Sequence, residues 1–153
     1  MFRDADQAIR FAFRMRNKSV VSKMRIMETD TPPSTATDRL TVYDFHAMSA
    51  MLFAFLGRCS MPQQAAAYVM YGDEHEKYMG AKILAEYCGG HYPKYITSKG
   101  QLVSALTSKT VRDCAEQCNL TNYKAWKVRR EMWRVVEPHL WELHKSLEKW
   151  LHI

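Results

Sequence analysis

Apolar residues near the start of the chain recur at helical spacing. Between residues 4 and 16, Ala5, Ala8, Ile9, Ala12 and Phe13 share one face, Arg10 and Arg14 lie opposite, and Asp4 stands where an N-cap is needed. Residues 42–56 follow a different pattern, apolar almost all round (Val42, Phe45, Met48, Met51, Leu52, Phe53, Phe55, Leu56), which predicts a buried central helix. His46 on that helix reads as a satisfied or half-buried core residue. The last segment, PHLWELHKSLEKWLHI, sets Leu140, Leu143, Leu147 and Leu151 on one stripe with Trp141 and Trp150 beside it. Strand-like alternation is nearly absent, with Val20–Val21 and Tyr92–Ile96 its only weak candidates. Glu28–Asp38 (ETDTPPSTATD) resists both helix and strand and reads as a linker.

Start and stop signals divide the remainder. A Ser, Thr or Asp followed three residues later by an acid or Gln marks a helix start, because the two side chains satisfy orphan amides reciprocally. This sign occurs at Thr41/Asp44, Ser60/Gln63, Asp73/Glu76, Ser98/Gln101 and Thr110/Asp113. Gly57, Gly72 and Gly89–Gly90 supply stops. The predicted helices run near 42–56, 61–71, 74–88, 99–107, 111–118 and 122–136, with a last one opening at Pro138, a residue suited to a first turn. The fold class is all-α. The expected regions are a basic N-terminal helix or arm at 1–27, a linker at 28–40, a helical bracing region at 41–96, and the remaining helices at 97–153.

Composition narrows the class without naming a function. The 153 residues are 47% hydrophobic and 25% charged, the balance of a globular domain. The most apolar stretch, Ala47–Leu56, interrupted only by Ser49, is well short of the ~20 residues of a membrane span. No secretory signal is visible, and four cysteines do not make a disulfide scaffold in a chain of this length, so a cytoplasmic, reducing setting is expected. The net charge of +6 points to a polyanionic partner.

Residues 111–130, VRDCAEQCNLTNYKAWKVRR, refine that inference. Two helices would flank a turn at Asn119–Thr121. Ala115 is small where the second helix crosses the first, and Asn119 accepts a left-handed backbone. Cys114, Cys118, Leu120, Ala125 and Val128 are apolar where the inner faces meet. Thr121 or Asn122 can cap the second helix. This stretch resembles the helix-turn-helix of bacterial and phage transcription regulators, and of the promoter-reading C-terminal region of sigma factors. It departs from their pattern at Asn119, in place of the usual Gly, and at Ala125, in place of Val or Ile. The resemblance implies a compact multi-helix domain that docks residues 122–136 in the major groove of double-stranded DNA.

Charge agrees with that docking. Residues 122–134 carry Lys124, Lys127, Arg129, Arg130 and Arg134 against Glu131 alone, a net of +4. In such a motif the start of the second helix meets base edges. That assigns base reading to Asn122, Tyr123, Trp126, Lys127 and Arg130, with Asn suited to adenine and Arg or Lys to guanine. Phosphate contacts fall to Arg112, Thr121, Lys124, Arg129 and Arg134. A solvated basic face on a packing helix would carry the same charges. Residues 1–27 hold a further net +5, and Arg14–Arg25 reads equally as a phosphate-gripping arm, a contact for an acidic protein, or a solvated end.

Other chemistry is weaker. Cys88, His91, Cys114 and Cys118 have the residue types of a zinc site, but the helix-pair register already explains two of them as core. Asp73–Lys77 (DEHEK) looks catalytic, yet acids are electrostatically favoured at a helix start. No phosphate-binding Gly-rich loop or nucleophile elbow occurs. No catalytic residue, metal or cofactor is assigned, and the chain is not expected to be an enzyme. The leading expectation is a DNA-binding transcription regulator. Helical mass beyond a minimal repressor suggests a protein contact, RNA polymerase being the natural one. By analogy, small phage proteins that join promoter binding to polymerase modification, such as late antitermination factors, fit this outline. The C-terminal helix serves either its own core or a homodimer. The rival reading is an interaction adaptor whose basic helix meets an acidic protein.

Overall fold

In a computed structural model of the chain, the structure describes residues 2–16 and 42–153. Val20–Val21, the 28–40 linker, most of the basic run Arg14–Arg25 and the Thr41 cap lie outside the described residues. Helix starts follow the short polar side chains. Asp4 Oδ1 accepts from the Gln7 amide at 2.8 Å and opens α1, Ala5–Met15. Ser60 caps α3, Met61–Tyr71, and Asp73 and Glu76 form a reciprocal box at the head of α4, Glu74–Tyr87. Ser98 caps α5, Lys99–Thr107; Thr110 caps α6, Val111–Cys118; Thr121 caps α7, Asn122–Glu131. Helix α2 covers Val42–Gly57 and α8 covers Trp133–Leu151. No strand occurs among the described residues, and Tyr92–Ile96 is irregular. The class is all-α.

One predicted boundary moves. The last helix starts at Trp133, and Pro138 lies inside it. Pro138 is exposed, so the carbonyl it leaves without an amide partner can face water. Helix α7 stops at Glu131, and Met132 joins it to α8 in near-helical geometry, φ −57° and ψ −30°.

The chain divides into two compact units, Met1–Arg58 with Leu147–Ile153, and Cys59–Ser146. The expected division at 96/97 falls inside the second unit. In the first unit α1 packs on α2, and Ser49 Oγ donates to the Ala12 carbonyl at 3.0 Å. Phe11 bridges Phe2 and Phe45, its ring centroid 5.3 Å from each. Phe11 is buried and Phe13 only half-buried, against the expectation from spacing. The Phe13 ring instead lies 5.0 Å from Phe53, with the Arg16 guanidinium over both. Helix α2 is not buried all round: Phe45, Ser49, Leu52 and Leu56 face inward, whereas His46, Ala47, Ala50, Met51 and Ala54 are exposed. Alanines and a flexible Met made a half-buried helix look central.

In the second unit one core serves several helices. Ala85 from α4, Ile96, Leu102 and Ala105 from α5, Cys114, Ala115 and Cys118 from α6, Ala125 and Val128 from α7, and Met132 form one buried cluster. This shared core is why no boundary separates the bracing region from the helix pair. Further along, Tyr71 on α3 hydrogen-bonds His144 on α8 at 3.0 Å, and Gln63 donates to Glu142. Leu140, Leu143 and Leu147 of the C-terminal stripe are buried within the chain, and Leu151 is half-buried.

Helices α3 and α4 approach closely at Gly80. A Cβ there would sit 2.7 Å from the Ala65 carbonyl oxygen and 3.1 Å from Val69 Cγ2. Gly80→Ala gains ~1 kcal/mol of helix propensity, but the backbone clash should cost ~1–3 kcal/mol. We expect a net loss of stability in denaturant titration; a variant more stable than wild type would show that this approach can relax.

Candidate nucleic-acid interface

Helices α6 and α7 contain eight and ten residues. Asn119 ends α6 in the left-handed region, φ 56° and ψ 48°, and its amide returns to the Ala115 carbonyl. The Leu120 amide donates to the same oxygen at 2.9 Å. Two amides on one carbonyl close the helix end tightly and reverse the chain. Leu120 packs on the core, and Thr121 Oγ1 accepts from the Lys124 amide at 3.3 Å. Three residues thus stop one helix, turn the chain and start the next.

Small side chains fix how the helices meet. Cys114, Cys118, Ala125 and Val128 are almost wholly removed from water, and Ala115 nearly so. Cys118 Sγ donates to the Gln101 carbonyl at 3.4 Å, and Gln101 Nε2 donates to the Cys118 carbonyl at 3.1 Å. These bonds tie α6 to α5. Burial pushes the Cys118 thiol up from 9.0 to about 11, and neighbouring Cys114 adds to the effect. Such a thiol stays protonated at neutral pH and acts as a small apolar group. None of the four cysteines forms a disulfide. Among the described residues no three His, Cys, Asp or Glu side chains gather as ligands for one metal ion.

With the inner face settled, the outer face follows. Asn122, Tyr123, Lys124, Trp126 and Arg130 are exposed and Lys127 is half-exposed. The Lys127 ammonium lies 4.8 Å from the Tyr123 ring centroid, and the Arg130 guanidinium 5.1 Å from that of Trp126. A hydrogen bond with Tyr123 pushes the Lys127 pKa up. The five base-reading candidates therefore share the exposed side of one helix.

The phosphate candidates separate. Lys124 is exposed, its ammonium 5.2 Å from the Tyr95 ring centroid. Arg134 is exposed and lines a cleft of about 460 Å³ with Lys94, His91, His139 and Glu131 among its walls. Arg112 is exposed on α6, its Nε 3.5 Å from Glu116. Arg129 is half-buried and donates to the Lys109 carbonyl at 3.2 Å, so it braces the turn before α6. The Thr121 hydroxyl serves the helix cap.

Sequence reasoning missed Tyr95. Its backbone has φ 77°, uncommon for a bulky residue, and the ammonium groups of Lys94 and Lys124 lie 5.3 and 5.2 Å from its ring centroid. No local signal announces this, because Tyr95 and Lys124 meet only through the shared core. The chain matches no known family model, no curated protein and no solved structure. No helix among the described residues is long and apolar enough to cross a membrane.

The left-handed turn gives a direct test. Asn119→Gly should keep or slightly raise stability, since glycine enters that region freely. Asn119→Val should lose ~1–3 kcal/mol, because a β-branched side chain is strained there. Thermal melts of both variants check this; equal stability would mean that the turn does not need a left-handed residue.

Proposed function

We propose that the chain is a sequence-reading, double-stranded DNA-binding transcription regulator that uses α6 and α7 as a helix-turn-helix. The observation that carries this reading is the union of a left-handed turn at Asn119, a buried small-residue seam, and an outward face on α7 that is basic and hydrogen-bonding. In this reading α7 enters the major groove N-terminus first. Asn122 is placed to pair with adenine, and Lys127 and Arg130 with guanine. Tyr123 and Trp126 add apolar contact and hold the cations in place. Lys124, Arg112 and Arg134 meet phosphates on either side. Thr121 and Arg129, already engaged in the fold, support the motif.

The first unit is then the part left for a protein partner, and RNA polymerase is the partner that suits a regulator. Its candidate surface is the exposed α2 face that includes Ala47, Ala50 and Met51. A second reading has its own support. Exposed Tyr, Trp and Arg also mark protein-binding hot spots, so the same face would suit an acidic protein.

Duplex binding separates the readings. Sites selected from random duplex DNA should bind with a preferred sequence and with affinity that falls steeply with salt. Lys127→Ala combined with Arg130→Ala should weaken the preferred site by at least about tenfold, since a base-pairing side chain is worth ~1–3 kcal/mol. The same variant should bind unrelated duplexes with a smaller loss. Unchanged affinity for the selected site, or no selectable site, would overturn the proposal.

A further inference from the structure

Tryptophan is usually well buried, yet Trp126, Trp133 and Trp141 are 45%, 47% and 57% exposed, and Tyr123 is 62% exposed. Their arrangement is regular. The buried side of α7 and α8 runs Ala125, Val128, Met132, Val136, Leu140 and Leu143 at steps of three or four, without a change of register at Met132. The exposed side therefore also continues through the junction. At helical spacing Tyr123, Trp126, Lys127, Arg130, Trp133, Arg134, Glu137, Trp141 and Lys145 fall on one stripe opposite the buried one. From Tyr123 to Trp141 the stripe extends about 27 Å at 1.5 Å per residue.

Cations accompany the rings in a repeated way. Lys127 follows Tyr123, Arg130 follows Trp126 and Lys145 follows Trp141, each four residues later and each over the ring, at 4.8, 5.1 and 3.7 Å from the centroid. Each pair engages one face of a ring. Each of these aromatic residues still keeps about half its surface in solvent. The stripe carries Lys127, Arg130, Arg134 and Lys145 against Glu137, a net of +3. Flat rings with positive charge at regular intervals match a ligand that has flat bases and negative charge at regular intervals.

We propose that this stripe is a stacking platform for an unpaired DNA strand, with Trp133 and Trp141 as base-stacking residues beyond the groove-reading half. Stacking on an aromatic side chain is worth ~1–3 kcal/mol per base and tolerates any sequence, while the cations hold the backbone. The bound strand lies along α7 and the first part of α8. The choice of DNA rests on the duplex-binding reading, with which the stripe shares Tyr123, Trp126 and Arg130. Its distal half has no groove-reading role and can be tested separately.

The experiment measures affinity for a short labelled oligo(dT) and for the selected duplex, with tryptophan fluorescence as a second readout and polyglutamate as competitor. The 153-residue chain should bind oligo(dT) with quenched tryptophan emission. Trp133→Ala with Trp141→Ala should weaken oligo(dT) by at least tenfold and leave the duplex within twofold, with an unchanged circular dichroism spectrum. Trp133→Phe with Trp141→Phe should restore most of the loss, because the rings return. The platform is overturned if the wild-type chain does not bind oligo(dT), if the alanine pair binds it normally, if duplex and oligo(dT) weaken equally, or if polyglutamate displaces oligo(dT) as well as unlabelled oligo(dT) does. Oligo(dT) binding without duplex binding would sink the duplex reading and leave the platform standing. Duplex binding that needs Lys127 and Arg130, without oligo(dT) binding, would do the reverse.

Discussion

Helices as short as α6 and α7 are marginal in water alone, because isolated helices below ~12–15 residues rarely repay nucleation. They persist because Cys114, Ala115, Cys118, Ala125 and Val128 leave water together, against Leu102 and Ala105 of α5. Small side chains let the backbones approach, and the left-handed residue at Asn119 provides the turn this approach needs. Once that seam is set, the residues on the outer side of α7 have no remaining choice of direction. In the proposed reading, DNA contact therefore depends on packing that never meets the DNA.

Much of this order is legible along the chain because it is local. Ser60, Asp73, Ser98, Thr110 and Thr121 cap the helices they precede, since a short polar side chain reaches only its own first turn. Asn119 is visible for the same reason. Pro138 misleads because a first-turn residue can also stand within a helix when its orphaned carbonyl faces solvent. The burial of α2 misleads because apolar composition does not specify which side meets a neighbour. Phe11 exchanges places with Phe13 because two rings outside the local pattern, Phe2 and Phe45, receive it.

What local pattern could not reach depends on contacts distant in sequence. Ala85 and Ile96 join the core of the helix pair, which erases the expected 96/97 boundary. Tyr95 reaches Lys124 by the same route. The tryptophan stripe is an intermediate case. Its signal, an aromatic residue with a cation four positions later, is present at Tyr123, Trp126 and Trp141, but it acquires meaning only once Val136, Leu140 and Leu143 are seen to fill the opposite side. The net +4 of residues 122–134 follows the same logic. Charges on one short helix lie within about a screening length or two of one another, so in the proposed reading they act on DNA together.

The most direct measurement is a map of backbone amide resonances as the selected duplex is added to the labelled 153-residue chain. The account predicts the largest shifts at Asn122, Tyr123, Trp126, Lys127 and Arg130, smaller ones at Lys124 and Arg134, and little change at Cys114 or Val128. Shifts centred on the first unit, or none at saturating duplex, would contradict it.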